Sequence, residues 1–371
     1  MKTNIYKLNT KLPEPISISF HTFYYQENVI LTLEANGFTG LGEAAPFKPI
    51  TGDSQAEVLE QAEKLREIDL DPNNFEPEKL HEILDEKNIT SETLRAAVDF
   101  AYHDLVAKIK NIPVFKLYAD TPTFIDNSVT IFVKDSFEET ASDAKKVFNT
   151  FPDLKILKIK LKGEHDVERA KAIKNVAPQN MKFLIDANQG YKDPQIAVND
   201  LTQIGDILEN VILVEQPTPK EDLVALKYVK DNMKNMLVFA DESAATVSDA
   251  KKVIETNSAH GINIKLQKAG GIHPAKQIAK MCEGSNYKIM VGCMLEGPVG
   301  IAAGIHFADS TKNLILTDLD GDLTVENYAN KLPFISGQRQ TTDQAGLGIN
   351  LEWEKIKSHA DGDNLIFEKI M

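Results

Sequence analysis

The spacing of hydrophobic positions changes rhythm near residue 127. Before that point, Val29–Leu33 alternates branched and polar residues, Ala35-Asn36-Gly37 supplies a turn, and Phe38–Ala44 returns as a partner strand. Residues 1–45 therefore read as β structure. Thr51-Gly52-Asp53-Ser54 is a loop ending in a helix N-cap, which predicts a helix over 55–68. Helical signals recur over 77–84 and 91–110, where Leu94, Ala97, Val98, Ala101, Leu105 and Ile109 follow helical spacing. Strands followed by helices predict an α+β domain over residues 1–120.

From Asn127 onward, short apolar runs alternate with amphipathic stretches: 128–133, 156–161, 183–186, 211–215, 237–241, 261–266, 288–292 and 314–318. Their intervals, mostly about 22–30 residues, have the length of a βα unit, which implies a parallel sheet. Seven or eight such units close most naturally into a (β/α) barrel, here over residues 121–320. A doubly wound open sheet is the alternative, but no Gly-x-Gly-x-x-Gly follows the first strand. Residues 321–371 carry short β-like pieces and Gly346-Leu347-Gly348, and are expected to pack back on the first domain.

Composition narrows the function class. The 371 residues are 42% hydrophobic, enough for a full core, and their net charge of −14 disfavours nucleic acid or an anionic membrane as partner. Cys282 and Cys293 are too few for a disulfide framework and fit a reducing compartment. The N-terminus lacks the apolar core of a signal peptide, and no apolar run approaches a membrane span. A soluble cytoplasmic protein is expected.

Candidate chemistry begins with Lys158 and Lys160, two residues apart on an expected strand, so both ammonium groups emerge on one face. At about 4 Å and an effective dielectric near 20 they repel by roughly 4 kcal/mol, so a buried face needs a counter-charge. On a solvated edge strand they would only discourage pairing, the reading that Lys155 and Lys162 keep. Three consecutive runs then end in acids, Asp186, Glu215 and Asp241, spaced 29 and 26 residues apart. Strand ends converge at the mouth of a barrel, where three carboxylates repel unless a hard cation binds them. Magnesium takes oxygen ligands and keeps open positions. Each acid alone reads as a helix N-cap or first-turn charge, but three in succession favour metal. The next run ends in Lys265, so lysines both precede and follow the acids around the mouth.

A metal flanked by lysines suits proton abstraction next to a carboxylate, because the cation stabilises charge that develops in the transition state. The base lysine must be neutral, and the metal and the neighbouring Lys158 both push its pKa down. One lysine on each face removes the proton from one side and returns it from the other, which is racemisation or epimerisation. One acting lysine and a β leaving group give elimination instead. The scattered histidines disfavour a zinc hydrolase, and a non-catalytic binding module does not explain lysines flanking three acids.

Lys158-x-Lys160, Asp186, Glu215, Asp241 and Lys265 within Ile262-Asn263-Ile264-Lys265-Leu266-Gln267-Lys268-Ala269-Gly270-Gly271 resemble the muconate-lactonising subgroup of the enolase superfamily. Gly42-Glu43-Ala44 and Ile50-Thr51-Gly52-Asp53 extend the resemblance into the N-terminal domain. It implies an α/β fold, a modified (β/α)7β TIM-like barrel under an α+β cap formed by the N-terminal region and the C-terminal tail. It also implies one Mg2+ per active site, held by Asp186, Glu215 and Asp241, and an enediolate formed by lysine bases. Lys160 and Lys265 are then the proton-transfer pair and Lys158 their electrostatic tuner. Thr317-Asp318-Leu319-Asp320-Gly321-Asp322 resembles the Asp-x-Asp motif of dipeptide epimerases, in which the two acids bind the substrate ammonium group. By the same resemblance, Thr130, Cys293, Met294 and Glu296 line the substrate pocket.

The implied activity is epimerisation of the C-terminal residue of L-Ala-L-Glu or a related L-Xaa-L-Xaa dipeptide. The alternative is a lyase or racemase of the o-succinylbenzoate synthase, N-acylamino acid racemase or muconate cycloisomerase type, which needs no ammonium site. A homo-oligomer and a place in peptidoglycan recycling are further implications. Glutamate-specific relatives carry an arginine in the first cap loop, whereas residues 12–47 here contain no lysine or arginine. His21 falls near the arginine's place, Phe20, Phe23 and Tyr24 signal an apolar side chain, and Lys48 is another candidate cation.

Overall fold

The computed structural model describes residues 1–323, 328–353 and 365–370. Of the C-terminal segment 321–371, residues 324–327, 354–364 and 371 lie outside the described residues. Strands β1 (Lys2–Ser17), β2 (Thr22–Ala35) and β3 (Phe38–Ala44) form an antiparallel sheet. The turn between β2 and β3 places Asn36 and Gly37 at φ 54° and 78°, as a two-residue hairpin turn requires. Helices α1 (Lys48–Thr51), α2 (Gln55–Ala62), α3 (Pro77–Glu86) and α4 (Glu92–Ile109) complete this layer. Ser54 caps α2 in a reciprocal box with Glu57. That helix is shorter than expected, giving way at Glu63–Leu65 to a single 3-10 turn. Its missing end is spent on pairing with the chain start, since Thr3 N donates to Arg66 O and Ile68 N to Met1 O.

Eight parallel strands follow: β4 (Ser128–Ile131), β5 (Ile156–Lys160), β6 (Lys182–Asp186), β7 (Val211–Glu215), β8 (Leu237–Ala240), β9 (Gly261–Lys265), β10 (Lys288–Gly292) and β11 (Leu314–Asp318). They pair in sequence order, and the parallel bridge Asn127–Thr317 brings the last strand to the first. Helices α5 (Phe137–Thr150), α6 (Asp166–Lys174), α7 (Pro194–Leu208), α8 (Leu223–Asn232), α9 (Val247–Glu255), α10 (Leu266–Ala269), α11 (Ile272–Gly284) and α12 (Pro298–Asp309) fill the crossovers. The result is a (β/α)7β barrel: among the described residues only a 3-10 turn, Gly321–Leu323, and no α-helix of the barrel layer, follows β11. Among the described residues no helix is long and apolar enough to cross a membrane.

The barrel interior is layered. Ile156, Leu184, Leu213, Phe239, Met290 and Leu316 form one buried apolar cluster. Gly261 completes it by omission, since a Cβ there would lie 2.4 Å from the Phe239 ring. Strand side chains repeat their direction every second residue, so the next inward position along each strand lies one layer closer to the mouth. Those positions are Lys158, Asp186, Glu215, Asp241, Asn263, Gly292 and Asp318. The apolar layer thus closes the floor beneath a ring of polar groups.

The tail returns to the cap. After the short hairpin β12 (Phe334–Ile335) and β13 (Gln338–Arg339), strand β14 (Leu365–Lys369) pairs antiparallel with β1. Gly346 and Leu347 dock on the α4 region, donating to Ile112 O and to Asp104 Oδ1. Gly40 and Gly42 allow α4 to lie against β3, because a Cβ at either would fall within 2.0 Å of an α4 carbonyl oxygen.

Candidate active site

Asp186, Glu215 and Asp241 meet at the barrel mouth, with one carboxylate oxygen of each within 4.8 Å of the others. All three are fully buried. Burial and the neighbouring Asp186 and Asp241 drive the Glu215 carboxyl up to about 8 against the opposing pull of Lys158. Asp186 and Asp241 go the other way. Burial opposes their charge, but Lys160 and Lys158 hold Asp186 well below the carboxylate range, and Lys265 and Lys268 bring Asp241 down to about 2. Glu215 Oε1 and Asp241 Oδ2 lack hydrogen-bond partners, although Lys158 and Lys265 stand 3.1 and 3.0 Å from them as off-axis ionic neighbours. Three converging buried carboxylates with two underused oxygens fit a hard divalent cation.

Lys160 reaches from β5 and Lys265 from β9, to 2.6 Å from Asp186 and 3.0 Å from Asp241 respectively. In the eight-strand order these strands lie four apart, on opposite walls of the barrel. Burial disfavours the Lys265 ammonium, but Asp241, aided by Glu215 and Asp186, keeps its pKa above that of an ordinary lysine. The expected repulsion between Lys158 and Lys160 is offset because both contact Asp186 Oδ2, at 3.1 and 2.6 Å. Lys158 is more than a neighbour to Lys160. It also lies 3.1 Å from Glu215 and 2.5 Å from Asp318, and these acids overcome its burial and raise its pKa well above the usual value.

The Asp318–Asp320 pair faces the same mouth. Asp318 Oδ1 accepts from Ser128 and Thr130 hydroxyls, while Asp320 Oδ2 accepts from the Thr130 backbone N–H at 2.7 Å. Burial and Asp318 raise the Asp320 carboxyl to about 6. Arg339 fixes this loop from the tail, donating to Leu319 O and pairing with Asp322. Lys155 and Lys162 pair at the surface with Asp126 and Glu164, apart from this chemistry.

A cavity of about 630 Å³ lies over the lysines, with Thr130, Lys158, Lys160, Lys265, Cys293, Met294, Asp318 and Asp320 on its barrel side. His21, Phe23, Phe47 and Ile50 belong to its cap side. The rings of His21, Phe23 and Phe47 cluster with centroids 4.6–4.9 Å apart. Lys48 also lines the cavity, but its ammonium is 2.6 Å from Glu57. Glu296 does not line it. Its side chain packs under Gly300 at the start of α12, where a Cβ would be 2.7 Å from Glu296 Cγ. Burial and nearby Glu43 raise its carboxyl to about 8.

Several supporting residues went unassigned in the sequence reading. Lys268 donates to both Oδ1 and the backbone carbonyl of Asp241. Gln267 ties the turn after Lys265 to the cap, donating to Glu43 O and accepting from Ala45 N. Glu43 in turn accepts from Gly297 and Gly300 N–H groups, serving α12 as a cap donated by another domain. Ser19 Oγ closes the first cap loop onto Asn188 O, two residues beyond Asp186. Glu43, Gln267 and Lys268 stand in the stretches Gly42–Ala44 and Ile262–Gly271 that carry the family resemblance, which was the sequence signal available for them.

Known proteins are similar to this chain in sequence and fold. Residues 139–355 match the family described as enolase C-terminal domain-like, and residues 1–118 match the mandelate racemase / muconate lactonizing enzyme N-terminal domain. The chain is 33% identical over 318 residues to the hydrophobic dipeptide epimerase of Enterococcus faecalis, covering 85% of this chain and 88% of that protein. It is 32% identical to the L-Ala-D/L-Glu epimerase of Bacillus subtilis, covering 92% and 94% of the two chains. The crystal structure of the Enterococcus faecalis dipeptide epimerase complexed with Mg and L-Leu-L-Tyr superposes with a TM-score of 0.86 at 32% identity, covering 94% of this chain and 100% of that one. Matched in both its cap and its barrel, the chain belongs to the mandelate racemase / muconate-lactonising enzyme family of the enolase superfamily.

Proposed function

We propose that this protein is a magnesium-dependent dipeptide epimerase that inverts the C-terminal residue and favours apolar or aromatic side chains there. The placement of Lys160 and Lys265 on opposite barrel walls, with the three acids between them, carries the reading. Asp186, Glu215 and Asp241 would hold the cation. A divalent cation held there would offset the charge of the acids that now favour the lysine ammonium groups and would supply the positive charge that stabilises negative charge developing as the α-proton leaves.

The chain's own groups do the rest. Lys160 and Lys265 each address one face of the α-carbon, one accepting its proton at Nζ and the other delivering a proton from the opposite side. Asp318 and Asp320 receive the substrate ammonium, with Thr130 fixing both acids. Lys158 links Asp318 to the metal ligands, so the ammonium site and the reacting carbon keep a set spacing. Thr130, Cys293 and Met294 shape the barrel wall of the pocket. Two free cysteines fit a reducing compartment and a cytoplasmic place of action.

The preference for apolar side chains rests on the His21, Phe23 and Phe47 rings and on the engagement of Lys48 by Glu57. The relative that binds L-Leu-L-Tyr supports it. Burying a leucine- or phenylalanine-sized side chain contributes about 1.5–3 kcal/mol, roughly 10–100-fold. A glutamate side chain in the same place meets no unengaged lysine or arginine among the described lining residues. With Mg2+, kcat/KM for L-Leu-L-Tyr should therefore exceed that for L-Ala-L-Glu by about tenfold or more. Equal or better turnover of L-Ala-L-Glu would overturn the assigned preference.

A further inference from the structure

Asn263 stands fully buried inside β9, on the same inward face as Lys265. Its Nδ2 donates to Glu215 Oε2 at 2.7 Å. Its own Oδ1 has no hydrogen-bond partner. The adjacent strand makes room for it, since a Cβ on Gly292 would lie 2.7 Å from Asn263 Oδ1 and 2.9 Å from Nδ2. A buried acceptor left empty costs stability, so what sets asparagine apart from an apolar residue here is the one hydrogen bond its amide makes, to Glu215.

We propose that Asn263 is a positioning residue for the metal centre, and that Gly292 is vacant so that its amide can reach Glu215. This inference rests on the metal-binding reading of the site. By engaging Oε2, the amide fixes the Glu215 carboxylate plane and leaves Oε1 for the gap shared with Asp186 and Asp241. Oε1 is the very oxygen that lacks a hydrogen-bond partner. Partners that orient metal ligands in this way typically contribute about 10–100-fold to metal affinity.

The test is Mg2+ titration by calorimetry of the full-length, metal-free protein, with thermal unfolding of the same samples. Asn263→Leu should weaken Mg2+ binding about 10–100-fold, even where loss of its bond to Glu215 lowers the melting temperature of the metal-free protein. A residue with a merely structural role would instead lower that temperature and leave affinity alone. Gly292→Ala, which keeps Asn263 but displaces its amide, should weaken binding in the wild-type background and add nothing in the Asn263→Leu background. Wild-type-like Mg2+ affinity in the Leu variant overturns the proposal. If that variant does not fold, wild-type-like affinity in Gly292→Ala does so alone. A wild-type protein that binds no Mg2+ overturns the metal reading itself, which separates the two failures.

Discussion

Replacing either active-site lysine with arginine should separate the two faces of the reaction. Arginine keeps the positive charge next to Asp186 or Asp241 but stays protonated at any working pH, so it cannot accept the α-proton. The ion pairs at 2.6 and 3.0 Å are thereby preserved in kind, and loss of a counter-charge does not confuse the result. Both lysines line the open cavity, which gives the larger head group space. Removing one proton-transfer group costs about 10²–10⁴ in rate, or about 2.7–5.5 kcal/mol of transition-state stabilisation. Epimerisation should fall by that factor in Lys160→Arg and in Lys265→Arg alike. Exchange of the α-hydrogen with deuterium oxide should survive in each variant for one epimer only, and for opposite epimers in the two variants. The asymmetry follows from strands β5 and β9 standing on opposite walls, so each remaining lysine meets one face. The assay is proton NMR of matched L,L and L,D dipeptides with Mg2+. Retention of exchange for the same epimer in both variants would refute the two-face arrangement, as would full epimerisation by either.

Two further outcomes test the rest of the account. Asp320→Asn removes a charged partner for the substrate ammonium, an interaction of about 1.5–3 kcal/mol, so kcat/KM for free dipeptides should fall roughly 10–100-fold; unchanged turnover would remove Asp320 from that role. Away from the site, burial raises the Asp309 carboxyl to about 7, with its hydrogen bond from Thr341 opposing. Because the folded pKa lies above the unfolded value, the carboxyl's favourable contribution is complete below about pH 4 and is lost as pH rises through about 7. Asp309→Asn should therefore melt higher than the wild type at pH 8, and the gap should close towards pH 4. A gap that does not vary with pH would exclude Asp309 as its source.

The barrel was legible because its strands are short apolar runs at regular spacing, and the acids because each ends a run. Their common direction has a simple basis: Asp186, Glu215 and Asp241 each stand two residues beyond Leu184, Leu213 and Phe239 of the inner apolar layer. The end of α2 was not legible, because strand pairing with the chain start decides it. Nor were the partners of Gln267, Glu43 and Asn263: these residues stand in the stretches that carry the resemblance, but the groups they bond lie far off in sequence and meet them only when the fold closes. Glu296 was expected at the pocket from the resemblance that the stretch Gly292–Glu296 carries. Its side chain lies against Gly300 at the start of α12, not among the residues that line the cavity. Lys158 was read as a tuner of Lys160, and only the folded barrel brings Asp318 to it from the last strand.

The central claim is stereochemical inversion next to the C-terminal carboxylate. Its most direct test is incubation of the wild-type protein with L-Leu-L-Tyr and Mg2+ in deuterium oxide, followed by proton NMR. The tyrosine α-hydrogen signal should disappear, the L,D epimer should appear, and both should stop when the metal is chelated. An unexchanged α-hydrogen across a set of apolar L,L-dipeptides, with folded protein and metal present, would contradict it.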